Sequence, residues 1–161
     1  MTADPEIRLR PARDSDSAGV IAVIGRTYRE YHGCVLDVDA DEPELRAPAS
    51  SYDGFWVLER ADEIVGSCGY WLKEADGSLA LEIQKVYLNA DLRGRGLGRL
   101  LIETLENRAA ELGVDRLTLW TDTRFETAHA VYERMGFRRT GQTRELRDRS
   151  NSREYQYEKR R

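Results

Sequence analysis

The sequence predicts an α/β fold of the mixed α+β kind, a mixed sheet with helices on both faces. Three observations predict it. Strand-like segments outnumber helix-like ones, hairpins come before a single strand–helix–strand crossover, and the order reads βα, a long connection, βββ, α, β, α, ββ. Hairpins make antiparallel neighbours, whereas the crossover makes a parallel pair and lays its helix on the sheet.

The elements follow in order. Ile7 and Leu9 alternate with Arg8 and Arg10 as a first strand that Pro11 closes. Residues 14–17 offer helix N-caps, and Val20, Ile21, Val23, Ile24 and Tyr28 then recur at helical spacing to about Tyr31. Residues 32–54, with Pro43, Pro48 and many acids, read as a loop with one short helix near residues 44–47. Residues 55–59 and 64–72 form a hairpin about the Ala61-Asp62-Glu63 turn, and Asp76-Gly77 turns into a strand over residues 79–88. A glycine-rich turn at residues 93–98 opens a long helix with Leu97, Leu100, Leu101, Leu105, Ala109 and Leu112 on one face, and Gly113 stops it. Residues 117–120 form a short buried strand. Residues 127–135 form a helix with Ala128, Val131, Tyr132 and Met135 on one side, ended by Gly136. Two last strands lie near residues 137–146 and 154–158, separated by a turn at residues 148–151.

The 161 residues suit one domain, residues 1–161, with a real core; 40% are hydrophobic and 34% charged. No apolar run is long enough for a membrane span, and the start, residues 1–6, is polar and acidic, so the expected compartment is cytoplasmic. The formal charge of −4 argues against a nucleic-acid partner. Cys34 and Cys68 are too few for a disulfide scaffold. With His32 and His129 the only histidines, no metal site is expected. Cys68 reads as a small buried residue. His32 reads as a polar loop residue and His129 as exposed.

The segment Arg93-Gly94-Arg95-Gly96-Leu97-Gly98-Arg99 carries the chemistry. A helix N-terminus offers unpaired N–H groups and partial positive charge, and glycines let an anion approach the backbone. Together with Arg93, Arg95 and Arg99 this makes a phosphate or pyrophosphate site. Glycines at 94, 96 and 98 do not complete G-x-G-x-x-G, and no lysine follows Gly98, so dinucleotide and Walker-type sites are disfavoured.

On these residues the sequence resembles the GNAT superfamily of N-acetyltransferases. The strand Glu82-Ile83-Gln84-Lys85-Val86-Tyr87-Leu88, followed by the glycine loop, is similar to that family's strand and R/Q-x-x-G-x-G/A loop. Ala128, Tyr132, Glu133, Gly136 and Phe137 match a second block of the family. The resemblance covers most of the chain, with its diagnostic part in the middle third. It implies a mostly antiparallel, V-splayed sheet of about six to seven strands, with acetyl-CoA as cosubstrate in the splay and no metal. It further implies that the backbone of Val86, Tyr87 and Leu88 pairs with the pantetheine arm, and that the amides of Arg93, Gly94, Arg95, Gly96, Leu97, Gly98 and Arg99 hold the pyrophosphate. Phe125 stands where the family often has an asparagine that helps hold the cofactor arm; Thr123 or Thr127 replaces that contact, or it is absent.

Acetyl transfer requires deprotonation of the amine, a donor for the developing oxyanion and stabilisation of the leaving thiolate. Tyr132 is the candidate thiolate partner: helix spacing alone favours a core tyrosine, and the match to the family block reverses that. Glu82 is the candidate base, acting directly or through a water, since alternation places Glu82, Gln84, Val86 and Leu88 on one face. A backbone N–H within residues 86–88 is the candidate oxyanion donor. Asp37 to Glu44 forms an acidic stretch suited to a cationic amine or simply to solvent, and Tyr31, Trp56, Tyr70 and Trp71 fit either an acceptor pocket or the core. The partners expected are acetyl-CoA and an amine acceptor, with a homodimer through a sheet edge open to the chain. A non-catalytic acyl-CoA-binding or sensing module is the alternative reading.

Overall fold

The computed structural model describes residues 6–161. The reading of the chain start as polar and acidic therefore falls, for residues 1–5, outside the described residues. Strand β1 (Ile7–Pro11) leads through a 3-10 turn to helix α1 (Ser17–Tyr28). Short helices α2 (Val38–Asp41) and α3 (Pro48–Ser51) precede the meander β2 (Gly54–Arg60), β3 (Glu63–Ala75) and β4 (Ser78–Leu88). Helix α4 (Leu97–Glu111), strand β5 (Arg116–Asp122), helix α5 (Glu126–Arg134) and the hairpin β6 (Arg138–Glu145) and β7 (Arg153–Arg160) complete the order.

The seven strands form one sheet in the order β1-β2-β3-β4-β5-β7-β6. All neighbours are antiparallel except β4 and β5, which the α4 crossover makes parallel. Each face buries one apolar layer. Val20, Val23 and Ile24 of α1 pack with Phe55, Val57 and Ile64 on one side. Leu101, Ile102, Leu105 and Ala109 of α4 pack with Leu81, Ile83, Leu117 and Leu119 on the other. Among the described residues, no helix is long and apolar enough to cross a membrane.

Four sequence expectations change. Residues 32–54 hold α2, a 3-10 turn over Pro43–Arg46, and α3, rather than one short helix. Asp37 caps α2 by accepting from the Ala40 N–H at 3.0 Å, and each proline stands at the start of a turn, where its missing N–H costs nothing. Leu100 on α4 and Leu112 just past its end are each 38% exposed, and Ile102 is buried instead. The inward stripe follows Leu101, Ile102, Leu105 and Ala109, as the helical repeat requires once Leu101 is fixed inward. Helix α1 ends at Tyr28, earlier than the apolar spacing predicts.

The last change concerns β4. Between the pairs Ser67↔Tyr87 and Gly69↔Gln84, Lys85 and Val86 oppose Cys68 alone, which is a β-bulge. Lys85 has φ 54, in the left-handed region. The extra residue reverses the alternation, so Glu82, Gln84, Val86 and Leu88 do not share a face. Val86 and Leu88 join Leu81 and Ile83 on the α4 side, and Tyr87 packs on the α1 side.

Candidate active site

The parallel pairing of β4 with β5 runs from Ala80↔Arg116 to Ile83↔Leu119 and stops, although both strands continue. The sheet opens at that point. The bulge bends β4 away and leaves the β5-facing edge of its last residues without a ladder partner. A left-handed Lys85 costs roughly 1–2 kcal/mol, and its surroundings hold it. Its ammonium pairs with Glu42, both side chains being largely buried, and its carbonyl accepts from Ser67 Oγ at 2.7 Å.

Two cavities meet in the opening. The first, of about 360 Å³, is a groove between the end of β4, the N-terminus of α4 and one side of α5. Val86, Tyr87 and Leu88 form one wall. Arg93, Gly94, Gly96, Gly98 and Arg99 form the other. Gly94 and Gly96 have φ 78 and 80, which side-chain-bearing residues rarely adopt. Gly96 is the N-cap of the 15-residue α4, and among the described residues no side chain caps that end, so its N–H groups are left uncapped beside the groove. Arg93 is committed to Glu30 through two bonds of 2.6 and 2.8 Å, which also raise its pKa above the usual arginine value. Arg99 pairs with Glu103 on the exposed helix surface. Thus the fixed charge at the groove is chiefly the helix terminus, with the arginines around it.

The second cavity, of about 400 Å³, lies on the other side of the opening, between β5, the β6–β7 hairpin and the segment after α1. It shares Val86, Tyr87, Phe125, Ala128 and Tyr132 with the first. Its wall is ionic: Asp41, Glu42, Asp122, Asp148 and Glu154 outnumber Lys85, Arg144 and Arg147. Asp122 is held below the usual carboxylate range; burial opposes ionisation, but the Arg124 guanidinium and N–H outweigh it, at 2.7 to 2.9 Å. The Cys34 thiol, also in this wall, is pushed up by burial and stays protonated near neutrality.

Tyr132 sits at the junction. It is 6% exposed, and packs against Phe137 and Tyr157. Burial pushes its phenol well above the usual tyrosine range, so the hydroxyl keeps its proton and is available to donate. Among the described residues the hydroxyl has no hydrogen-bond partner. Phe125 lines both cavities, with its ring centroid 4.9 Å from that of Tyr31. Thr127 reaches the groove beside it and Thr123 reaches neither cavity.

The structure therefore brings Tyr132, Val86, Tyr87, Leu88, Arg93, Gly94, Gly96, Gly98 and Arg99 together. It does not bring every candidate. Arg95 is exposed and Leu97 packs into the core, and neither side chain lines the groove. Glu82 lines neither cavity; its carboxylate accepts from Gln84 Nε2 at 2.7 Å, and Gln84 lines the second cavity. Tyr31 lines the groove, whereas Tyr70 is buried core and Trp71 stacks on Tyr52. His32 lines neither cavity. His129 is a correction: it is 6% exposed, not open to solvent. Its Nε2 lies 2.9 Å from the Asp122 carbonyl and its ring packs against Tyr155 and Tyr157, because α5 turns that flank onto β7. Sequence reasoning missed Lys85, Arg134, Arg144 and Glu154. Only the charge alternation of the last two strands hinted at the latter pair.

Comparison with known proteins agrees with this geometry. The model of the acetyltransferase (GNAT) family matches residues 23–137. An N-acetyltransferase of Escherichia coli, YjgM, is 35% identical over 128 residues, covering 76% of each chain. Human N-acetyltransferase 8 is 32% identical over 121 residues, 73% of this chain, and rat N-acetyltransferase 8B is 28% identical over 120 residues. The chain spans about half the length of these mammalian relatives, 53% and 54%. Among solved structures, a GNAT-family acetyltransferase of Staphylococcus aureus Mu50 superposes with a TM-score of 0.81 at 19% identity, covering 96% of this chain and 99% of its own. An acetyltransferase of Salmonella typhimurium, solved with its cofactor acetyl-CoA, gives a TM-score of 0.69 at 17% identity over 96% of this chain and 94% of its own. At such identities these two likenesses speak to the fold, while the family model and the bacterial relative speak to descent: the chain belongs to the GNAT family of acetyltransferases.

Proposed function

We propose that residues 1–161 act as one N-acetyltransferase domain that moves the acetyl group of acetyl-CoA directly to a primary amine of a small molecule or protein. The observation that carries this is the pair of cavities meeting at Tyr132, one ending in an uncapped helix N-terminus and the other walled by an excess of carboxylates. A diphosphate suits the first and an amine the second. In this reading the pyrophosphate lies against the amides of residues 93–99, and the pantetheine arm pairs with the free edge of Val86, Tyr87 and Leu88. The Salmonella relative's acetyl-CoA supports the choice of ligand. The thioester reaches the junction, where a backbone N–H of β4 takes the oxyanion and the Tyr132 hydroxyl donates to the departing thiolate sulfur.

Glu82 enters through Gln84, whose amide it holds at the wall of the second cavity. Phe125 replaces an amide contact with an aromatic wall shared by both cavities. The formal charge of −4 offers no broad basic face for nucleic acid, and the cytoplasm is the expected setting.

The test is calorimetric titration with acetyl-CoA, with NAD and ATP as controls, followed by release of free thiol against a panel of amines. Selective acetyl-CoA binding with thiol release on an amine is the expected result. Selective binding with no release across the panel would favour a sensing module, and no binding would overturn the reading.

A further inference from the structure

We propose that Glu154 is the catalytic base that takes the proton from the acceptor amine. The inference rests on the function proposed above and assigns a residue that neither the glycine loop nor the β4 strand supplies.

A base must line the acceptor cavity, stand on a rigid element, and have a free oxygen. Asp122, Glu154 and Arg144 lie abreast on β5, β7 and β6, since Asp122 pairs with Glu154 and Glu154 with Arg144. Directly opposed residues project to the same face, and all three line the second cavity. Arg144 Nε donates to Glu154 Oε1 at 2.7 Å, with its guanidinium 4.3 Å from the Trp120 ring centroid. The Glu154 side chain is 15% exposed, and Oε2 has no partner among the described residues.

The other carboxylates of the cavity are engaged. Both oxygens of Asp122 accept from Arg124. Both of Asp148 accept from Ser152. Those of Glu42 contact Lys85 and Tyr28. Asp41 accepts from the Arg149 N–H and stands on the four-residue α2, outside the sheet. Glu154 alone combines a strand position with an open oxygen.

The charge environment suits the task. Burial raises the Glu154 carboxyl above the usual range and Asp122 adds to this, while Arg144 and Lys85 oppose it. Glu42, Asp148 and Arg147 face the same cavity from three other segments. A carboxylate that is ionised but reluctant is a stronger proton acceptor than a solvated one.

The step balances as follows. The neutral amine nitrogen attacks the thioester carbonyl carbon, and the C–N bond forms as an N–H proton passes to Glu154 Oε2. Collapse breaks the C–S bond, and the electron pair leaves on sulfur as a thiolate that the Tyr132 hydroxyl hydrogen-bonds. Glu154 returns its proton to solvent, and the thiolate takes one from solvent.

The experiment measures the pH dependence of kcat and KM for the wild type, Glu154→Gln, Glu154→Asp and Arg144→Met, with acetyl-CoA affinity by calorimetry and folding by thermal melt. For Glu154→Gln the expected result is a fall in kcat of about 100-fold or more, unchanged acetyl-CoA affinity, and loss of the lowest-pH break in the profile. Glu154→Asp should recover part of the rate. Arg144→Met should move that break to higher pH, because the guanidinium favours the ionised carboxyl. A folded Glu154→Gln with kcat within about twofold of wild type and the same break would overturn the assignment while leaving the acetyltransferase reading intact. So would a rate loss matched by equal loss of acetyl-CoA affinity, which marks a structural role. A wild-type chain that binds no acetyl-CoA overturns the function itself, and this inference with it.

Discussion

Replacing Gly96 by glutamate separates the phosphate-binding role of the loop from its role in the fold. A Cβ at Gly96 meets nothing within 4 Å, so no clash is introduced. The cost to folding is the φ of 80, roughly 1–2 kcal/mol for a residue with a side chain. A carboxylate at the N-cap of α4 recovers roughly 0.3–1 kcal/mol by facing the positive end of the helix. The variant should therefore fold, with a net loss near 1 kcal/mol. Binding is another matter. A carboxylate ~6 Å from a phosphate charge, at an effective dielectric constant of ~20, is repelled by about 3 kcal/mol. That weakens acetyl-CoA by about 100-fold. Calorimetric titration of wild type, Gly96→Ala and Gly96→Glu, with thermal melts alongside, reads both terms. Gly96→Ala should lose stability and keep most of its affinity. A folded Gly96→Glu that binds acetyl-CoA as tightly as wild type would refute the placement of the diphosphate. Equal affinity losses in both variants would assign the effect to backbone strain.

Three further outcomes are expected. Tyr132→Phe should keep acetyl-CoA affinity and lower turnover at least tenfold, since the hydroxyl has no partner among the described residues and its removal leaves the packing intact; steady-state kinetics with calorimetry check this, and unchanged turnover removes Tyr132 from the chemistry. Glu42→Gln strands the Lys85 ammonium beside the bulge and should cost about 3 kcal/mol in urea unfolding; a loss below about 0.5 kcal/mol would mean that the pair does not hold the bulge. His129 has its folded pKa lowered, first by burial, so the unfolded chain binds protons more readily. Its contribution is present above the unfolded value of about 6.5 and is lost as pH falls through the folded one; wild type should thus lose melting temperature from pH 7.5 to 5.5, and His129→Gln should lose less.

Much of this protein is legible along the chain. The hairpins, the crossover and the glycine loop are local signals: alternation, turn residues and positive-φ glycines act over a few residues, and the strand and helix bodies fall where those signals put them. The glycine loop and the Tyr132 helix carry the family's signature within the sequence itself. What the chain does not display is set by contacts between distant segments. The bulge at Lys85 needs Glu42 and Ser67, forty-three and eighteen positions away, to hold a strained backbone, and its reversal of the β4 faces puts Val86 and Leu88 on the face opposite Glu82. His129 is buried only because α5 lies against β7. Glu154 reads as one more charge in a polar hairpin until β5, β7 and β6 set it between Asp122 and Arg144. Local pattern determines where the backbone turns and which ligand charge a helix start suits; only the folded sheet decides which carboxylate loses water and keeps a free oxygen, because desolvation is a property of what packs around a group.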